Sequence, residues 1–132
     1  TVCTTIHSNS CTSTYRRMMT LAKRKYNMDD SIIMQIMVEA YPVVVFTKQL
    51  EDRSRKIMEI IEGEDFIDGK LIYRSLYKYD VVDNVTEANG QTRVVGHHRK
   101  MGLISETLKK RLLDNGISHK ELEEFMPEKE VD

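Results

Sequence analysis

This sequence of 132 residues has few cysteines, few glycines and almost no net charge. The first two shortages exclude particular kinds of site. Its two cysteines, Cys3 and Cys11, form no C-x-x-C pair, so neither a disulfide framework nor a zinc site is predicted, and a reducing compartment fits best. None of the six glycines belongs to a G-x-x-x-x-G-K-[ST] phosphate loop. No apolar run approaches the roughly 18 residues of a membrane-spanning helix, and no signal peptide is recognisable. A cytosolic protein is predicted.

Charge is unevenly distributed along the chain, although the formal net charge is only −1. Residues 1–25 contain no acid and five basic residues, namely Arg16, Arg17, Lys23, Arg24 and Lys25. Residues 119–132 contain six acidic residues against two lysines. Such ends are suited to an anionic ligand or a neighbouring subunit, and they equally fit solvated helix faces followed by an acidic tail.

The first third of the chain has the pattern of one strand followed by two helices. Residues 1–6 are a β-branched run that predicts a buried strand, whose partners would have to precede it, so the chain is predicted to be the C-terminal piece of a larger protein. Ser10 or Thr12 can cap a first helix with apolar residues at positions 15, 18, 19, 22 and 26. A second helix, introduced by Asp29-Asp30, covers residues 32–40 and ends before Pro42.

The remainder predicts strands and then two more helices. Residues 43–46 are a continuous apolar run typical of a strand buried on both faces. Strands at 57–61 and 71–79 are joined through Asp68-Gly69, and a last strand at 91–97 follows Asn89-Gly90, with residues 80–92 equally compatible with a flexible loop. A helix begins at Ser105 and ends at Asn115-Gly116, and a short one begins at Ser118 with Glu121 completing a capping box.

His7 is the most informative candidate for chemistry, because it stands where the predicted strand turns into a capped helix. Ligands gather at the carboxyl ends of strands in α/β sheets, and a helix N-terminus favours anions. His7 is therefore a candidate hydrogen-bond donor to a phosphate, with Arg16 and Arg17 adding positive potential. A histidine at a strand end is also common as a purely structural polar residue.

The same segment resembles a known motif. Residues 4–10 read T-T-I-H-S-N-S, similar to the T-T-I-H-A-N-S His box of the secretion-type ATPases that drive type II and type IV secretion and pilus assembly, in particular the Flp/Tad pilus and conjugation-type branch. In that family an arginine-bearing helix follows, matched by Arg17, and then the pattern R-L-x-D-G-S-R-R-V. Residues 50–57 are similar to that pattern, with Gln49 in place of its first arginine and Arg53 in place of its glycine. The later residues 76–79 and 102–116 resemble the family's L-F-x-F strand and terminal helix.

The resemblance implies an α/β fold, the C-terminal half of a RecA-like P-loop ATPase domain with a mixed sheet over residues 1–100, followed by a C-terminal helical segment with an acidic tail at 101–132. It implies a parent protein that forms a ring, usually a hexamer, binds ATP and Mg²⁺, and drives secretion or pilus components from the cytoplasmic side of the inner membrane. The catalytic role of the motif histidine falls on His7, and the nucleotide-binding positions on Thr5, His7, Asn9, Arg17 and Arg55. No metal ligand is assigned to this chain.

The phosphate loop and the acidic Mg²⁺ ligands of that family lie upstream of the His box. The 132 residues alone are therefore predicted to bind no cofactor and to hydrolyse no ATP without the N-terminal part of the same ATPase. The alternative is a stand-alone interaction module that contacts nucleic acid or an anionic partner through the basic helix at residues 15–25. The net charge of −1 argues against strong nucleic-acid binding.

Overall fold

A computed structural model describes residues 2–123 and orders them as two helices, a four-stranded sheet and two further helices. The elements are α1 (Cys11–Lys23), α2 (Asp30–Ala40), β1 (Val43–Gln49), β2 (Arg55–Ile67), β3 (Lys70–Thr86), β4 (Thr92–Lys100), α3 (Glu106–Asp114) and α4 (His119–Leu122). The predicted acidic tail beyond Glu123 lies outside the described residues.

The sheet is an antiparallel meander with the strand order β1-β2-β3-β4. Tight turns impose this topology, because strands joined by a few residues can only pair antiparallel, whereas parallel pairing needs a long crossover. The Asp68-Gly69 and Asn89-Gly90 turns are confirmed. The predicted RecA-like half with a mixed sheet is wrong: every strand pair in residues 2–123 is antiparallel, and both long helices precede the first strand.

The opening strand predicted at residues 1–6 is also wrong for the part that the structure describes. Residues 2–8 have no regular secondary structure, and the Val2 side chain is 70% exposed. Only Ile6 packs against the hydrophobic core. A β-branched run becomes a strand only when a neighbouring strand accepts its backbone hydrogen bonds, and β1 pairs with β2 alone among the described strands.

β1 forms as predicted but lies at the edge of the sheet, so the expectation of burial on both faces is wrong. Val44 and Phe46 face the core, while Val43 and Val45 are 44% and 50% exposed. The alternation follows from the pleat, since successive side chains of a strand point to opposite faces and the described helices cover only one face of β1.

The core lies between the helix pair α1–α2 and strands β1 and β2. It is formed by Cys11, Tyr15, Met18, Met34, Val38 and Ile61, all buried. The caps that start both helices agree with the sequence: Ser10 caps α1 and Asp29 caps α2. Tyr15 donates a hydrogen bond to the Tyr41 carbonyl and packs on Gly63, where any larger residue would collide with its ring.

Close to its turn, the β1–β2 hairpin does not pair with β3 and instead contacts β4. β2 pairs with β3 only from Glu59 onward. At residues closer to the hairpin turn, the Asp52 carboxylate accepts a hydrogen bond from the Val94 amide, and the His98 ring bonds to the Ile57 carbonyl over 3.0 Å. β3 continues to pair with β4 as far as Thr86, with one shift of register between Val81 and Asp83, so residues 80–86 are strand rather than the loop that the sequence also allowed.

α3 and α4 begin at the predicted caps. The Ser105 hydroxyl accepts a hydrogen bond from the Leu108 amide, and Ser118 and Glu121 form the predicted capping box. A short connection, residues 101–105, carries the chain from β4 across β3 to α3, with the Met101 amide bonded to the Leu76 carbonyl. α3 therefore starts next to β2, where the Glu62 carboxylate meets Ser105.

Candidate functional site

An open depression lies in front of the first turns of α1, and it collects most of the predicted site residues. Its volume is about 540 Å³, and it is lined by His7, Ser8, Asn9, Ser13, Arg16, Arg17 and Thr20. Every one of these side chains is polar, and three of them can carry positive charge. His7 and Asn9 come from the segment that precedes the helix, whereas the two arginines come from its second turn.

Hydroxyl groups fix the loop that carries His7 and Asn9. Ser8 and Ser13 hydroxyls lie 2.6 Å apart, and the Ser10 amide donates to the Ser13 hydroxyl over 3.0 Å. The Ser10 hydroxyl in turn accepts from the Ser13 amide, which completes a capping box built from two serines. The backbone directly after His7 is thereby tied to the first turn of α1.

The electrostatic environment of this depression is positive. The first turn of α1 contains no acidic residue, and the amide groups of a helix N-terminus add partial positive charge. Within residues 2–123, Lys23 is the α1 cation that pairs with an acid, Asp30, while Arg16 and Arg17 make no ion pair there. Both guanidinium groups are exposed and able to bind an anion in the bidentate geometry that arginine favours.

The predicted residues divide into two groups. His7, Asn9 and Arg17 share the depression. Thr5 lies upstream of it in the exposed opening segment, and Arg55 pairs with Gln49 at the end of the β1–β2 hairpin, so neither lines it. Arg16, which the sequence analysis grouped with His7 and Arg17, lines the depression too, and the structure adds Ser8, Ser13 and Thr20.

The donor groups of the depression fit a phosphate better than a cation. An imidazole, an amide, hydroxyls and guanidinium groups donate hydrogen bonds to phosphate oxygens. Mg²⁺ prefers carboxylate oxygens, which this depression does not present within the described residues. Residues 2–123 contain no group of three or more His, Cys, Asp or Glu side chains arranged to hold a metal ion.

The adjacent histidines and the tyrosines of the sheet make separate contacts. His97 lies opposite Asp80, and His98 lies opposite Tyr79 with its ring 4.9 Å away, so the two histidines serve different contacts. Tyr73 and Tyr77 do not share a face of β3, because an irregularity at Leu76 shifts the register between them.

No protein-family model and no curated protein sequence matches this chain. In the described part, all helices are too short or too polar to cross a membrane. The order of motifs along the sequence and the geometry of the depression are therefore the observations on which a functional interpretation depends.

Proposed function

We propose that this chain is the C-terminal part of a ring-forming ATPase that drives secretion, pilus assembly or conjugation from the cytoplasmic side of the inner membrane. In this proposal the upstream part of the parent holds ATP and Mg²⁺, and this chain presents His7 to the terminal phosphate. The observation that carries the proposal is that His7, Asn9 and Arg17, three positions of the resembled motifs, line one cationic depression.

The turn between β1 and β2 gives independent support. Arg53 stands where the resembled R-L-x-D-G-S-R-R-V pattern has glycine, and its backbone has a φ of 64°. That left-handed conformation favours glycine, because glycine lacks the Cβ that clashes there. Asp52, the aspartate of the same pattern, is bonded to Ser54 and to the Val94 amide. The backbone of this turn thus suits the family pattern even where the sequence departs from it.

The chemistry assigned to this chain is electrostatic. ATP supplies the phosphoryl group, and catalysis of its transfer depends on neutralising charge around the phosphate oxygens. His7 and Arg17 can donate to those oxygens from an exposed position, and Arg16 adds a third cation-capable group. The ring partners and the secretion or pilus components belong to the parent as a whole.

The test uses the complete reading frame that contains this sequence. We expect an upstream phosphate-loop motif, ATP hydrolysis by the full-length product, and loss of most turnover in His7→Ala while nucleotide binding persists. His97→Ala, an exposed histidine outside the depression, is the matched control and should retain activity. The 132 residues alone should not hydrolyse ATP. A reading frame without a phosphate loop, or full activity in His7→Ala, would overturn the proposal.

A second candidate function rests on the same flank of α1. Arg16, Arg17 and Arg24 are exposed, and residues 2–28 contain no acid. This surface is suited to nucleic acid or to an acidic partner protein, as a stand-alone interaction module would require. Binding measurements on the isolated chain separate this candidate from the first.

A further inference from the structure

The connection 101–105 together with α3 and α4 is attached to the rest of the protein mainly through polar contacts. The Glu62 carboxylate accepts one hydrogen bond from the Ser105 amide, over 2.8 Å, and another from the Ser105 hydroxyl. The Arg74 guanidinium donates to the Leu103 carbonyl over 3.3 Å, and Arg111 donates to the Glu39 carbonyl at the end of α2 over 2.9 Å.

Apolar contact is comparatively sparse in this part of the molecule. Leu108 is the one fully buried side chain in α3, and Leu122 the one in the described part of α4. The other residues of α3 are exposed or half-buried. With one fully buried leucine in each helix, this segment has much less hydrophobic anchoring than the six-residue core under α1 and α2.

Glu62 is the unusual member of these contacts, because it is a carboxylate only 3% exposed. It forms part of a cavity of about 440 Å³ between α2, β2 and α3, together with Ser105 and Leu108. A buried charge that loses its partner is normally destabilising, because it stays away from water. Here the partner and one wall of the cavity leave together when α3 moves, so the carboxylate regains water instead of being left unpaired.

We propose that residues 101–122 form a detachable arm, and that the contact between Glu62 and Ser105 sets the balance between its docked and undocked states. Undocking opens the cavity between α2 and β2 and exposes Glu62, Val38 and the apolar side of Leu108. The core formed by α1, α2, β1 and β2 stays folded, because none of its six buried residues belongs to the arm. The inference is independent of the ATPase proposal and concerns a conformational device within the chain.

Native-state hydrogen exchange on the whole chain tests this directly. The amides of α3 should exchange by a local opening with little dependence on denaturant, while core amides such as that of Ile61 exchange only through global unfolding. Ser105→Ala removes the hydroxyl that Glu62 accepts, and we expect it to speed α3 exchange about tenfold, leaving the core amides unchanged.

Further variants keep the inference falsifiable. Glu62→Gln should have the same selective effect on α3, and it is the deciding variant, because the Ser105 hydroxyl also caps α3. If Glu62→Gln fails to fold, Arg111→Ala decides instead, since it removes the donor to the Glu39 carbonyl and leaves the cap of α3 in place. Ser118→Ala removes a comparable helix cap that has no link to Glu62, so it should loosen α4 and leave α3 unchanged. Exchange of α3 together with the core, or an equal effect of Ser118→Ala and Ser105→Ala on α3, would overturn the inference.

Discussion

Arg53 has a left-handed backbone conformation, which glycine adopts more easily than arginine. A left-handed conformation costs a residue with a Cβ about 1–2 kcal/mol, whereas glycine loses about 0.5–1 kcal/mol more conformational entropy on folding. We expect Arg53→Gly to raise the free energy of unfolding by about 0.5–1 kcal/mol in urea denaturation. Arg55→Gly, in the extended strand that follows, is the control and should lower it. A less stable Arg53→Gly protein would contradict this account.

Gly63 allows the Tyr15 ring to lie directly on the backbone of β2. A Cβ at this position would lie 2.5 Å from the Tyr15 hydroxyl oxygen, and Tyr15 is completely buried. Gly63→Ala should therefore lower the free energy of unfolding by about 1–3 kcal/mol, measured by chemical denaturation. The same substitution should cost less in a Tyr15→Phe background, because the colliding hydroxyl is gone. Equal costs in both backgrounds would show that the collision with the hydroxyl does not determine the cost.

The two cysteines should differ sharply in reactivity. Burial, reinforced by the negative charge of Glu59, raises the pKa of the Cys11 thiol from its ordinary 9.0 to about 12, whereas Cys3 is exposed. At pH 8 a thiol reagent should modify Cys3 quickly and Cys11 only after denaturation. Because the folded-state pKa of Cys11 is raised, the protein should lose stability as the pH rises from about 9 to about 12. Rapid labelling of both thiols in the native protein would exclude a stable core around Cys11.

At the residue scale, the position of a side chain can be inferred from the sequence where only a few neighbouring residues determine it. His7, Asn9 and Arg17 line one depression because a loop of three residues and two helical turns bring them to one side of α1. Arg55 could not be located in this way. Its position depends on the length and curvature of the β1–β2 hairpin, which pairing with β3 and contact with β4 determine.

At the element scale, Asp52 connects the β1–β2 turn to β4. Hydrogen bonds from the Ser54 hydroxyl and amide, and then from the Val94 amide, lower the pKa of the Asp52 carboxyl below its ordinary 3.8. Its contribution to stability should therefore be present above the ordinary pKa and be lost as the pH falls through the lowered value. Asp52→Asn should reduce this acid dependence and speed exchange of the Val94 amide at neutral pH. Glu51→Gln, exposed in the same turn, is the control, and an equal effect of both would refute the connection.

Helix caps and tight turns were predictable because each depends on a few adjacent residues. Ser10, Asp29, Ser105 and Ser118 all cap helices as expected, and both glycine turns connect strands. Strand neighbours were not predictable in the same way. Nothing local in Val43 to Phe46 distinguishes an edge strand from a central one, since the difference is whether a second strand pairs with its outer side.

At the scale of the whole molecule, the predicted fold class failed because it depended on one parallel pairing. An α/β sheet of the RecA type would require the opening segment to pair with β1 across the α1–α2 connection, and the described residues 2–8 form no strand. The remaining strands are joined by short turns, and these impose an antiparallel meander whatever precedes them. Local patterns therefore predicted most elements correctly while the arrangement of the sheet depended on long-range pairing.

The charge distribution of the whole molecule supplies the last prediction. Basic residues are concentrated on the flank of α1, but the formal net charge is −1, so long-range attraction to a polyanion is small. We expect the isolated chain to bind duplex and single-stranded DNA weakly at low salt and not at moderate salt, as measured by fluorescence anisotropy. Arg16→Glu combined with Arg17→Glu should abolish the remaining binding, whereas Lys70→Glu, in the β2–β3 hairpin, should reduce it only slightly. Tight binding that falls steeply with salt and depends on Arg16 and Arg17 would favour the interaction module over the ATPase, because only a function built on this flank requires such affinity from the chain alone.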